Sequence, residues 1–228
     1  MALSQTKNRR ERERGERQLS ILNAARQVFF SRGIHNATMD DVAAAAEVSK
    51  GTVYLYFQSK ETILATLLQE GLLLLIKKLE TAYGADYPLA AEARLRRISQ
   101  AYFDFFHTHS HYYRLLMAFE RQKFQESVDP DLYEQILIRS NRGLAYVVQT
   151  IEQGVAEGDF VAEDPKQAAG VIWAMLHGVY VILGHPLRRE IVAADLEALY
   201  QAALGLAIKG LKVPVKGEQG IKESDGSQ

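Results

Sequence analysis

The chain has 228 residues, almost half of them apolar and about a quarter charged, which suits a soluble globular protein with a sizeable core. It contains no cysteine, which excludes disulfides, thiol redox chemistry and thiolate metal sites and fits a reducing cytoplasm. The formal net charge is −1, yet residues 1–60 carry ten Lys/Arg against six Asp/Glu, so positive charge gathers at the start.

Residues 1–17 hold Lys7, Arg9, Arg10, Arg12, Arg14 and Arg17 against Glu11, Glu13 and Glu16. They lack apolar periodicity and read as a flexible basic arm: either a solvated tail or frayed extension of the first helix, or an arm making a non-specific contribution to phosphate binding. This charged start is not a secretory signal. A first helix over about Gln18–Ser31 buries Ile21, Leu22, Ala25, Val28 and Phe29, with Arg26 facing solvent or a partner and Gly33 as its stop.

Three capped helices follow between Thr38 and Tyr83. Thr38 opens the first, with Asp41 three residues on, and Val42, Ala45 and Ala46 give it a small apolar face. Ser49 caps the second, Lys50–Phe57, whose Val53 and Phe57 lie four apart on the inner side. Its other residues, Lys50, Gly51, Thr52, Tyr54 and Tyr56, are small, hydroxylated or cationic. Ser59 caps a long third helix that begins at Lys60. Further helices are expected at about 90–108, 112–123, 129–157, 164–184 and 193–211, with Asp129-Pro130 and Asp164-Pro165 as start signals. No β-hairpin signal or repeat interrupts them. The fold class is all-α with about nine helices.

Helix, tight turn and helix with a polar outer face is the helix-turn-helix pattern. The run Ala46–Leu64, AEVSKGTVYLYFQSKETIL, resembles the DNA-binding signature of the tetracycline-repressor (TetR) family of bacterial regulators. The motif resemblance covers about Gln18–Leu68; beyond it, length and helical layout agree. It implies a helix-turn-helix domain over 18–63, preceded by the arm 1–17. A shared helix then leads into a ligand-binding and dimerisation domain over 64–212, with a disordered tail at 213–228. Lys50 and Thr52 are placed for base edges or nearby phosphates, and Gly51 for close backbone approach. By resemblance Tyr54, Tyr56 and Lys60 match positions that contact the phosphate backbone, while Thr38 and Met39 begin the helix flanking the groove. The tetracycline repressor itself has glutamine where Lys50 stands, so its operator does not transfer.

Aromatic residues with scattered polar partners are candidates for an effector pocket: Tyr102, Phe105, Phe106, His109, Tyr113, Met117, Phe119, Arg121, Asn141, Tyr146, Trp173 and His177. For any single one of them ordinary core packing is the favoured explanation; as a set they fit a pocket between helices. Gln167–Leu187 is uncharged and long enough to raise a membrane span, but Gln167, His177, His185 and Pro186 argue against it. Gly170, Ala174 and Gly178 instead form a small-residue stripe. Leu196, Leu199, Ala203 and Leu206 form a second stripe, and in the TetR family these places build the dimer interface. His107, His109 and His111 lack a full ligand set, so no metal site is expected. No cofactor is expected, and no catalytic motif occurs.

The sequence therefore reads as a cytoplasmic, homodimeric TetR-like repressor, not an enzyme, binding a palindromic operator in double-stranded DNA. A small, largely apolar effector would release it. A ligand-independent architectural or cell-division factor on the same scaffold, or an activator, remain alternatives.

Overall fold

The computed structural model describes residues 2–119, 122–183 and 186–213, and all its named elements are helices. They are α1 (Ala2–Arg32), α2 (Met39–Ala45), α3 (Lys50–Tyr56), α4 (Lys60–Tyr83), α5 (Ala91–Thr108) and α6 (Ser110–Phe119). After them come α7 (Gln122–Gln125), α8 (Pro130–Glu157), α9 (Pro165–Leu183), α10 (Pro186–Val192) and α11 (Leu196–Leu211). The short α7 and α10 add to the nine helices expected from periodicity. Expectations that fall on Arg121, on His185 and on the tail from Pro214 onward lie outside the described residues.

The basic segment expected to be mobile is helical, and α1 begins far upstream of Gln18. Apolar periodicity does not mark this extension, because none of its described side chains is buried. Its turns are tied on the surface by Arg9–Glu13 at 3.3 Å and Arg12–Glu16 at 3.6 Å, four residues apart. Helix boundaries elsewhere follow their caps. Thr38 forms a full capping box with Asp41, Ser49 accepts from the Thr52 N–H, and Ser59 accepts from the Thr62 N–H. Gly33 and Gly84 close α1 and α4 at φ 83° and 55°, where a glycine is free of Cβ strain.

Contacts divide the chain into two compact units. One comprises Met1–Tyr87 and Arg97–Tyr146, the other Pro88–Arg96 and Val147–Gln228. In the first, α1 packs on α2 and α4, α2 on α3, and α4 on α6. Its core is the stripe Ile21, Leu22, Ala25 and Phe29 with Val42, Val53, Phe57, Ile63, Leu64 and Leu67, all buried. Thus helix-turn-helix and the start of α4 share one apolar centre.

In the second unit α9 packs on α11. Tyr180 and Tyr200 meet edge to face at 5.9 Å within that interface. The turn after α8 is locked to the end of α11: Val161 N–H donates to the Leu211 carbonyl at 2.7 Å, and Phe160 forms an isolated bridge with Lys212. The Phe160 ring fills the space left by Gly154, and a methyl group there would collide with it. Gly143, in the same helix, has room, since the nearest atom is Leu79 Cδ1 at 3.5 Å. Gly154→Ala is therefore expected to destabilise the protein by about 1–3 kcal/mol through overpacking. Gly143→Ala should be neutral or gain up to about 1 kcal/mol from helix propensity. Urea unfolding of both variants checks the contrast.

Candidate nucleic-acid interface and effector region

Between α2 and α3 the chain turns through Glu47, a left-handed residue at φ 53°. Val48 N–H returns to the Ala43 carbonyl at 3.0 Å, and Ser49 then starts α3. The orientation of α3 follows from two buried side chains, Val53 and Phe57, four residues apart. At 100° per residue the opposite direction falls on Leu55, which is 76% exposed, flanked by Gly51 and Thr52. A large apolar side chain on this outward face suits a thymine methyl in a major groove. Sequence reasoning passed over Leu55 because leucine is normally assigned to the core. Its azimuth, opposite Val53 and Phe57, was the available signal.

The other expected contact residues fall into two groups. Lys50, Gly51 and Tyr54 are exposed on α3, and Thr52 and Tyr56 are half-buried. Lys50 Nζ donates to Asp40 Oδ2 at 2.8 Å, and this carboxylate raises the lysine pKa. A Cβ at Gly51 would meet only Ser49 Oγ, at 3.8 Å, so the backbone there is open to an approaching surface. Thr38 is exposed, but its hydroxyl is engaged by Asp41 at 2.8 Å, while Arg32 pairs with the same carboxylate. Met39 is a correction: its side chain is buried in the core, leaving only backbone at the surface. Lys60 is half-buried and donates to the Ala37 carbonyl at 2.7 Å while lying 5.8 Å from the Phe29 ring centroid. It fastens α4 to the link between α1 and α2. Arg26, expected to face outward, pairs with Glu70 of α4.

That contact belongs to a seam joining α1, α4 and α6. Phe30 lies 3.9 Å from the His111 ring and 5.6 Å from Tyr112. Tyr112 in turn presses on α4 at Gly71, where an added Cβ would overlap its ring. Of the expected effector residues, the structure brings Tyr102, Phe105, Phe106, His109 and Tyr113 into one aromatic block. Its ring centroids lie 4.8 Å apart for Tyr102–Phe106, 5.2 Å for Phe105–Phe106, 4.9 Å for Phe105–His109 and 5.6 Å for Phe106–Tyr113. Phe105 also stacks on Tyr112 at 6.1 Å, so the block abuts the seam. Met117 is half-buried on α6. Phe119 instead faces Tyr133 at 5.7 Å, Tyr146 pairs with Tyr83 at 5.3 Å, and Asn141 is exposed on α8. Trp173 and His177 belong to the second unit, where they stack at 5.3 Å. An open groove of about 490 Å³ lies elsewhere, between α4 and α5, lined by Lys77, Lys78 and Arg97 over Leu74, Ala82 and Ala101.

The three neighbouring histidines point to different partners: His107 to Phe103, His109 to Phe105 and His111 to Phe30. Among the described residues no group of three potential metal ligands forms.

On the second unit, Gly170 and Gly178 have open space where a Cβ would stand, and Ala174 is exposed. Val171, Val181, Ile182 and, on α11, Leu206 are also exposed, Leu206 at 68%. Leu196 and Leu199 are half-buried. Ala203 is a correction, since it faces the core of its own unit. The α9 helix is long and apolar enough to cross a membrane by composition, but one side of it is buried within its own unit, with Ile172, Leu176 and Tyr180 inward.

Comparison with known proteins agrees with this geometry. Residues 21–67 match the family described as bacterial regulatory proteins, tetR family, and residues 95–206 match the tetracyclin repressor-like C-terminal domain. The HTH-type transcriptional activator FasR of Mycolicibacterium smegmatis is 37% identical over 103 residues, 45% of this chain and 46% of its own, so less than half of that relative is spanned. The HTH-type transcriptional regulator YhgD of Bacillus subtilis is 29% identical over 80% of this chain and 93% of its own. Among solved structures, FadR of Bacillus subtilis in complex with stearoyl-CoA superposes with a TM-score of 0.65 at 21% identity, covering 85% of this chain and 98% of that one. The fatty acid degradation regulator FadR of Bacillus halodurans gives 0.62 at 25% identity, over 85% and 98%.

Burial lowers the pKa of His177, and burial, with His109 and Arg114 nearby, lowers that of His111 below the ordinary 6.5. A ring whose folded-state pKa is depressed binds its proton more readily when unfolded. Its contribution to stability is therefore complete above about pH 6.5 and declines as pH falls through the folded value. Denaturant midpoints between about pH 7.5 and 5 are expected to fall with acid. His177→Gln should show a shallower fall than the parent chain.

Proposed function

The chain belongs to the tetR family of bacterial transcriptional regulators and is not an enzyme, and on that basis we propose that it is a cytoplasmic, homodimeric repressor released from a palindromic operator by a fatty-acyl effector. The observation that carries the DNA-reading part is the outward face of α3. Leu55, Gly51 and Thr52 sit opposite the buried Val53 and Phe57, with Lys50 and Tyr54 beside them. A two-turn helix reads few base pairs, so a second copy related by two-fold symmetry doubles the site.

Support for the dimer comes from the unfilled side of α9 with Leu206 of α11. Two glycines, an alanine and exposed Val171, Val181 and Ile182 form an apolar surface that a second copy would cover. The effector reading is supported by the aromatic block of α5 and α6, in which Phe105 and Phe106 lie beside the hydrogen-bonding rings of Tyr102, His109 and Tyr113. It is also consistent with the stearoyl-CoA bound by a structural relative. The block meets α1 and α4 through Phe105, Tyr112 and Phe30, so occupation of the α5–α6 region would bias the position of α4 and with it α3. A coupling of about 1–3 kcal/mol changes operator affinity roughly 5- to 150-fold. Activation is a second reading, favoured by the similarity to the activator FasR.

The test is operator binding. Duplexes selected from a random pool by the purified protein are titrated with palmitoyl-CoA and stearoyl-CoA, and then used in a transcription assay. Release by acyl-CoA with transcription restored supports the proposal; acyl-CoA-dependent stimulation above the protein-free level assigns activation. Leu55→Ser and Thr52→Ala are expected to weaken the selected duplex by about 1–3 kcal/mol each while leaving random-sequence affinity nearly unchanged. Unchanged binding to the selected duplex would show that α3 does not read it.

A further inference from the structure

The upstream half of α1 is a helix whose described side chains from Asn8 to Arg17 are solvent-exposed, and its charges are sorted by face. Arg9 and Arg12 are paired with Glu13 and Glu16. Arg10, Arg14 and Arg17 are exposed and, among the described residues, form no ion pair. Spaced four and three apart, they make one stripe. The same azimuth continues through Ile21, Ala25 and Val28, the buried face by which α1 packs on α2 and α4. A straight helix keeps a face pointing one way, so the three guanidinium groups project to the side on which the helix-turn-helix lies. With a rise of about 1.5 Å per residue, Arg10 stands roughly 16 Å beyond Ile21.

We propose that this stripe is a second DNA-binding element: a preformed helical arm whose Arg10, Arg14 and Arg17 lie along the phosphate backbone flanking the sequence read by α3. The inference rests on the DNA-binding reading of α3. The occupant follows from charge and continuity. Three unpaired cations on an otherwise solvated helix call for a polyanion, and the face that carries them adjoins the unit that docks on one. Guanidinium groups suit phosphate because their planar fork donates two parallel bonds. The contacts carry no sequence information, so they raise affinity for all duplexes alike.

The test compares the full chain with two variants, each checked by circular dichroism for the parent's helix content, on a fluorescent random-sequence duplex of about three helical turns, titrated across salt. Arg10→Gln, Arg14→Gln and Arg17→Gln together remove the stripe; Arg9→Gln with Arg12→Gln removes cations from the other face. Each phosphate contact contributes about 0.9 to the slope of log affinity against log salt, so the triple variant is expected to lose about 2–3 per protomer. The double variant should lose little. Equal loss per charge in both variants, or an unchanged slope in the triple variant, overturns the arm while leaving DNA binding by α3 intact. If the parent chain binds no duplex, both readings fail.

Discussion

Tyr112 presses on α4 at Gly71, where even one methyl group would displace its ring, and the arrangement of the DNA-reading surface depends on that contact. The α4 helix starts immediately after α3, its first turn capped by Ser59 and fastened by Lys60 to the Ala37 carbonyl. Whatever sets α4 therefore sets the recognition helix. Arg26 reaches from α1 to Glu70, and Phe30 lies against the His111 ring. Three helices meet where a Cβ added at Gly71 would overlap the Tyr112 ring, and close-packed interfaces shift between discrete arrangements and do not deform smoothly.

Much of the helix-turn-helix was legible in the sequence because its determinants are local. The caps at Thr38, Ser49 and Ser59 and the pair Val53 and Phe57 specify start, stop and facing without help from distant residues. Resemblance supplied the family, but burial alone separates Met39, whose side chain is inside, from Leu55, which is outside. The helical upstream half of α1 was not legible because ion pairs four apart leave no apolar period. The expected effector residues were read as one set because they share a chemical type. Their grouping depends on packing between helices far apart in sequence, which puts Tyr102, Phe105, Phe106, His109 and Tyr113 together and sends Phe119 and Tyr146 to other partners.

The small-residue stripe shows the same division. Its period identified Gly170, Ala174 and Gly178 as a close-approach surface, and the structure leaves that surface open. Val171, Val181 and Ile182 extend it. They had been absorbed into the general apolarity of α9, whose other side is the one that meets α11. Ala203 lies on that inner side, which only the α9–α11 packing could reveal.

The proposed account is that two copies present their α3 helices to successive major grooves and that the seam at Tyr112 controls this spacing. Because the chain lacks cysteine, Gln58→Cys in the exposed turn between α3 and α4 gives one unique spin-label site per protomer. Double electron–electron resonance on this variant measures the distance between the two sites. With a selected operator bound, a single narrow distribution is expected, fixed by the roughly 34–36 Å spacing of successive major grooves plus a constant offset of the labels from the α3 helices. With acyl-CoA and no DNA the distribution should move away from it by several ångströms. An identical distribution in both states, or no dipolar signal at all, would contradict the account.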